Sequence, residues 1–462
     1  MDTSEVYQLG FTTEEMSLRP SSSTPFQPTT IPIEIWSNIF SMAVYIPGAY
    51  DIQDYSAILA FTRDTHGICL QDVFWQSMRT KLACSRVCKY WNAISQPFLF
   101  QYLRIESGKQ ACAIANALEQ APQGTDEKGG GKWTLRVDLA LEGEHAWELV
   151  HDEAMGKIFR HCENLVCFSD VFSKWCMGSQ ESERMISRLA GNPKFKRLEI
   201  KNFHNTLSVI EKTLGDTLEV LWLVQGSAVL MNVFLQKPTY FLSKLCVLIN
   251  DACLTPEVHL TLPNLRVYVG ERYYPYLHCK PHLLEQFSGH FNTFVLQGPS
   301  LWSSLTTLCL QSAQLLFCDF TSHETFGHSG LRYIIIEDFA KVLLGLGLSP
   351  SFKPLQEHSS CLRKNLSYFI SRDVFPNMYG LRLHLPVSCR GLPQESLRQD
   401  KEFWIVWFDA CHNHGLRLEI SRGSKERFED KWSEIPAKEF IQCRPPCPLL
   451  LTNVDHILSM HA

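Results

Sequence analysis

Residues 261–270 read Thr-Leu-Pro-Asn-Leu-Arg-Val-Tyr-Val-Gly. Leu262 stands three positions before Leu265, and Val267 and Val269 then alternate with polar or aromatic neighbours, which is the texture of a short strand with one apolar edge. The same signature recurs on both sides of it. Before it come 103–105, 135–139, 165–168 and 198–200, then Leu218 with Leu221 and Leu223, and Leu245 with Leu248. After it come Leu305, Leu308 and Leu310; Leu331, Ile334 and Ile336; Met378, Leu381 and Leu383; and Leu416, Leu418 and Ile420. Helix-compatible segments lie between several of these runs, at 111–118, 146–159 and 183–189. A strand-then-helix unit cannot bury its apolar face alone, and stacking such units is how a solenoid builds a continuous core. The fold class expected is α/β, with an irregular leucine-rich-repeat-like strand/helix solenoid over 101–440. An ordinary α/β domain with a parallel sheet is the alternative.

The chain has 462 residues, 45% of them hydrophobic and 20% charged, enough apolar material for a real core. Its formal charge of -5 excludes a globally basic nucleic-acid binder. The 17 cysteines are odd in number and scattered, and residues 1–10 carry Asp2 and Glu5 rather than an apolar signal segment. Free, buried thiols in a reducing compartment follow, cytoplasmic or nuclear. Apolar stretches such as 342–348 are too short to cross a membrane.

Ahead of the strand-bearing region the texture is helical. Residues 1–30, crowded with Ser, Thr and Pro, read as a disordered leader. Pro32 then fits a first helical turn, Glu34 complements the helix dipole, and Ile31, Ile35 and Ile39, with Trp36 and Phe40 beside them, mark an apolar stripe. Val87, Tyr90, Trp91 and Ile94 predict a further helix that Pro97 stops, with 47–67 as loop and a short helix near 55–61.

These residues carry a resemblance. Ile31-Pro32-x-Glu34-Ile35-x-x-x-Ile39-Phe40 resembles the opening of an F-box, and Ser85-Arg86-Val87-Cys88-Lys89-Tyr90-Trp91 resembles its closing helix. Pro97-Phe98-Leu99-Phe100, leading into Leu103, is similar to the junction by which fungal F-box proteins enter their leucine-rich repeats. An inserted stretch, 45–81, separates the two halves, and Ile31 stands where Leu is usual. The resemblance implies a short all-helical F-box module over 31–100 that docks onto the Skp-family adaptor of an SCF-type ubiquitin ligase, and through it onto a cullin and a RING subunit. The adaptor-binding residues so implied are Ile31, Pro32, Glu34, Ile35, Ile39, Phe40, Val87, Cys88 and Trp91. The chain would then be a non-catalytic substrate-recognition subunit without a cofactor. A repeat scaffold outside any ligase is the alternative.

An unknown protein substrate would lie on the array's long face, and the residues alternating outward beside strand cores are its candidates: Arg266, Tyr268, Arg382, His384 and Arg417. The aromatic segment 271–276 reads as a protrusion. Other motifs fail on chemistry. Gly131-Lys132 lacks the first glycine and the hydroxyl of a phosphate-binding loop, since Asp126 and Trp133 stand there. Gly327-His328-Ser329-Gly330 is one residue short of a nucleophile elbow. His323, Glu324 and His328, like His278, Cys279 and His282, Cys411, His412 and His414, or Cys443 and Cys447, lack zinc-site spacing. The basic run Lys194, Lys196, Arg197 and Lys201 is expected to solvate an edge of the array, and 441–462 to form a cap or tail.

Overall fold

The computed structural model describes residues 31–64, 69–120, 130–141, 147–174, 179–201, 206–224, 239–250, 259–270, 277–279, 281–288, 303–311, 328–337, 364–385, 410–422 and 432–434. The expected leader, the 271–276 protrusion, the His323–Glu324 and Cys443–Cys447 motifs and the tail lie outside them. The fold is mixed α/β, dominated by one long parallel sheet that does not close into a barrel.

Four helices come first: α1 (Ile33–Val44), α2 (Tyr55–Asp64), α3 (Cys69–Val87) and α4 (Lys89–Leu99). Pro32 precedes α1 and leaves no donor to waste, while Glu34 occupies its first turn. The helix expected over Val87–Ile94 is instead two helices, because Cys88 is extended at φ -161°, ψ 169°. There Cys88 accepts a hydrogen bond from the Trp91 N–H through Sγ at 3.4 Å and starts α4. Pro97 does not stop that helix. It sits two residues from the end, and the carbonyl it leaves without a donor belongs to Ala93, which is exposed and open to water. Most of the expected insertion is helical too: α2 and most of α3 fall within 45–81.

The sheet follows: β1 (Tyr102–Ile105), β2 (Arg136–Leu139), β3 (Cys167–Ser169), β4 (Arg197–Lys201), β5 (Val220–Val224), β6 (Thr239–Phe241), β7 (Val247–Asn250), β8 (His259–Leu262), β9 (Val267–Gly270), β10 (Leu277–Cys279), β11 (Gln286–Ser288), β12 (Thr307–Gln311), β13 (Tyr333–Glu337), β14 (Gly380–Leu385), β15 (Arg417–Arg422) and β16 (Trp432–Glu434). Thirteen of these form the main sheet in chain order, β1-β2-β3-β4-β5-β7-β9-β11-β12-β13-β14-β15-β16. All neighbours pair parallel except the last, where β16 runs antiparallel to β15. Parallel neighbours require crossovers. Helices α5 (Gly108–Gln120), α6 (Leu149–His161), α7 (Ser179–Leu189) and α8 (Leu207–Leu214) serve as crossovers early in the sheet. Further on, β6, β8 and β10 take the place of helices and form a second, three-stranded parallel sheet.

The register explains the leucine pattern. Leu103, Val137, Phe168, Leu198, Leu221, Leu248, Tyr268, Phe287, Leu308, Ile334, Leu381 and Leu418 occupy one row across neighbouring strands. That row faces the crossover layer and belongs to one continuous core, with Met155, Ile158, Ile186, Ile210, Leu260 and Leu262 from the other side. Tyr268 is a correction to the outward alternation expected of it: it is 3% exposed, inside this core, with its ring centroid 5.6 Å from that of Phe287. Both faces of β9 are covered, so alternation there could not distinguish inside from outside.

Burial also tunes titration. Asp170, after β3, is 4% exposed and accepts the Lys201 backbone N–H at 2.6 Å through Oδ1. Its burial outweighs that hydrogen bond and the nearby Lys201 charge, pushing the carboxyl from 3.8 up to about 7. The folded chain therefore holds this proton where the unfolded chain has lost it. The Asp170 contribution to stability is fully present below about pH 4 and is lost as pH rises through about 7. Asp170→Asn should flatten the dependence of unfolding free energy on pH across that window, by on the order of 4 kcal/mol in urea titrations.

Candidate functional site

Helix α1 has two apolar sides. Trp36, Phe40 and Val44 recur every four residues and turn inward. Trp36 and Phe40 meet Trp91 at centroid distances of 4.6 and 4.9 Å, with Ile94 and Phe98 of α4 closing the cluster. Ile35, Ile39 and Met42 lie on another side, 48%, 39% and 73% exposed, with Ile33 exposed beside them. Pro32 and Glu34 are exposed, Ile31 half-buried, and α3, packed against α1, adds exposed Leu82 and Val87. The residues expected to meet a partner thus divide. Phe40, at 2% exposure, is an interior residue of the helical module, Trp91 is a half-buried part of the same cluster, and Cys88 is the cap of α4. Ile35, Ile39 and Val87 face outward, whereas Ile31 packs half-buried against the inward cluster.

The second surface is the face of the main sheet that points away from the crossovers. Over its first half it is covered by the chain itself. On β2, β3 and β4 it presents Arg136, Asp138, Cys167, Ser169, Arg197 and Glu199, and on β5, β7 and β9 it presents Val220, Trp222, Val247, Ile249, Val267 and Val269. The segment running from Ile46 into α2 matches this change of chemistry. Its backbone carbonyls lie over the charged half: Arg136 Nη1 donates to Ala49 O at 3.1 Å, and Arg197 Nη1 donates to Gly48 O and to Asp51 O, the latter at 3.1 Å. Its apolar side chains Ile52, Tyr55, Ile58 and Leu59 lie over the apolar half.

The charged half is balanced. Arg136 forks onto Glu199 at 3.0 and 2.6 Å and donates through Nε to Asp138 at 2.7 Å. Arg197 Nη2 pairs with Glu199 at 2.7 Å, and the Tyr102 hydroxyl donates to Asp138 at 3.1 Å. All four charged side chains are fully buried, and the Phe61 ring lies 5.1 and 5.4 Å from the two guanidinium carbons. Burial alone would raise the Glu199 carboxyl, but Arg136 and Arg197 outweigh it and hold the group at about 2. Arg197 is therefore a buried ion-pair member, not a residue solvating an edge as the sequence predicted. Burial raises the Cys167 thiol on this face well above the ordinary range, as it raises that of Cys162, in the core on the crossover side, to about 11.

Beyond β11, at the starts of β13 and β14, lies a pocket of about 620 Å³ lined by Ser329, Gly330, Arg332, Tyr333, Asn377 and Tyr379. Tyr333 and Tyr379 meet edge to face at 5.7 Å. The Arg382 guanidinium lies 3.7 Å over Tyr333 and donates to Glu419 at 2.8 Å; that of Arg417 lies 4.8 Å over Tyr379. Asn377 donates to Ser329 O at 2.8 Å, tying the two walls. Arg372 braces the rear, donating to Pro376 O, His414 O and Gly415 O at 3.2, 2.8 and 3.0 Å. Of the five expected substrate contacts, the structure gathers Arg382 and Arg417 here. His384 lies on β14 opposite Ser421 of β15, Arg266 is exposed further along and pairs with Glu285 at 3.2 Å, and Tyr268 is core. Tyr333 and Tyr379 went unremarked in the sequence, although each stands immediately beside or within an apolar-x-apolar run.

Among the described residues no three His, Cys, Asp or Glu side chains converge on a metal-sized site, and no helix is long and apolar enough to cross a membrane. A scan of protein-family models returned no match to the chain, and a search of curated proteins returned none either.

Proposed function

We propose that this chain is the substrate-recognition subunit of an SCF-type ubiquitin ligase. Residues 31–100 serve as a stretched F-box that docks a Skp-family adaptor, and the strand array after them, an irregular leucine-rich-repeat-like solenoid, holds a protein client. The observation that carries this reading is the outward side of α1. Ile33, Ile35, Ile39 and Met42 remain exposed although the helix already has an inward apolar side in Trp36, Phe40 and Val44. A second apolar side on a short helix costs solubility unless another polypeptide covers it, and clustered aliphatic anchors supply most of the affinity of such contacts. The resemblance of the motif that begins at Ile31-Pro32 to an F-box supports the reading, since Ile35 and Ile39 stand at positions where such a module would meet its adaptor.

The test is direct. Ile35→Ala with Ile39→Ala should weaken capture of purified Skp-family adaptor by about a hundredfold, near 2.7 kcal/mol, while exposed positions of this kind move stability by only about 0.5 kcal/mol. Adaptor capture that is undiminished in the double variant, or absent from the wild-type chain, leaves the non-ligase scaffold as the better account.

A further inference from the structure

We infer that the pocket between the starts of β13 and β14 binds an acidic stretch of another polypeptide. This deepens the client half of the proposed function and rests on it only for the client's fate; binding itself needs no adaptor. Two observations locate the site. The sheet face over β2–β9 is already occupied by residues 46–59 of the same chain, so a client cannot lie there without displacing them. The pocket lies beyond that cover and is built rather than incidental: Asn377 ties its two walls, and the Arg372 guanidinium braces the loops leading into β14 and β15.

Charge selects the ligand. Arg382 is answered by Glu419. Arg332 and Arg417 are exposed at the same end of the sheet and, among the described residues, form a cationic surplus beside the pocket, in a chain whose overall charge is -5. Guanidinium groups backed by aromatic rings are held in a fixed orientation, and their planar fork suits carboxylates. The rings argue against a nucleobase. Tyr333 is capped by Arg382 and Tyr379 by Arg417, and the two rings stand at 70° to one another, so they offer no parallel platform for stacking. A pocket of about 620 Å³ takes a few side chains of an extended segment.

The experiment uses the full chain and fluorescence anisotropy with a labelled peptide of repeating Glu-Ser-Ala. The wild type should bind it, more weakly as salt rises, and should bind the Gln-Ser-Ala counterpart at least about tenfold less well. Arg332→Ala with Arg417→Ala should lose at least about tenfold in affinity, and the corresponding pair of lysine variants should retain part of it. Ser329→Trp, which fills the cavity without removing charge, should lose as much as the alanine pair. Failure of the wild type to bind, equal affinity for the Gln peptide, or undiminished binding by either the arginine or the Ser329 variant overturns the assignment. So does a single-stranded oligonucleotide that binds more tightly and is lost in the same variants. The Ile35→Ala, Ile39→Ala chain should bind the peptide normally and the arginine variant should capture adaptor normally, so the two readings fail separately.

Discussion

Glu199→Ala is expected to destabilise the chain by about 3–5 kcal/mol. Glu199 is the anion shared by two guanidiniums, accepting from Arg136 through both oxygens and pairing with Arg197 through one. Removing it leaves two fully buried cations facing Asp138 alone. The desolvation cost of those cations is then no longer offset, and the effect should exceed that of removing a cation and an anion together. Arg197→Met with Glu199→Leu, which keeps the volume apolar, should therefore cost less than Glu199→Ala by itself. Urea unfolding at neutral pH measures both. The acid limb supplies an independent check. The Glu199 carboxyl titrates near 2 when folded against 4.5 for the free group, so its contribution is fully present above about pH 4.5 and is lost as pH falls through about 2. In Glu199→Ala that portion of the acid limb should vanish. A cost below about 1 kcal/mol would mean that water reaches the cluster and that the 46–59 cover is loose.

The core face of the sheet was legible in the sequence, and the opposite face was not. Leucine runs such as Leu305, Leu308 and Leu310 fall on the buried row and its neighbours because that face belongs to one continuous core. Its period is local and survives ragged spacing. The other face is set by partners far away in the chain: Arg197 donates to Gly48 across 149 positions, and Arg136 donates to Ala49 across 87. Nothing local distinguishes a buried Arg197 from the half-buried Lys196 beside it, since both belong to a basic run. Tyr268 was misplaced for the same reason, because Val267 and Val269 lie under the 46–59 cover and a strand buried on both faces has no polar side to read. The three-stranded sheet β6-β8-β10 was missed because its strands are three or four residues long and occupy positions where helices serve earlier. In the helical module the stripe was seen, but not its division. Periodicity marked Ile35, Ile39 and Phe40 alike, whereas one residue of offset turns a side chain by about 100° around the helix and separates the exposed isoleucines from the buried phenylalanine.

Gly48→Ala should be the most damaging single methyl addition among the described glycines, costing about 3 kcal/mol or more. Gly48 has φ of 78°, where a side chain clashes with its own backbone for about 1–2 kcal/mol. A Cβ there would also stand 2.1 Å from Ala57 O and 2.5 Å from Phe61 Cβ, both on α2 and neither able to swing aside as a side-chain tip does. The same residue places the carbonyl that Arg197 uses, and its N–H donates to Asp51 at 2.6 Å, so a shift at Gly48 moves the cover's carbonyls away from the guanidinium donors they accept from. Gly415 is the control. Its φ of 65° carries the same backbone penalty, but its nearest neighbour is the flexible Arg372 Nη2 at 3.6 Å, so Gly415→Ala should cost only about 1 kcal/mol. Thiol labelling mapped by mass spectrometry reads the consequence locally. Cys246, half-buried against the cluster that Ile58 and Leu59 complete, should react faster in Gly48→Ala than in the wild type, and at the wild-type rate in Gly415→Ala. If the two glycine variants cost the same and Cys246 is indifferent to both, the 46–59 segment lifts off freely. The first half of the sheet face would then be open to a client, and the pocket beside Tyr333 and Tyr379 would lose its claim to be where a client is held.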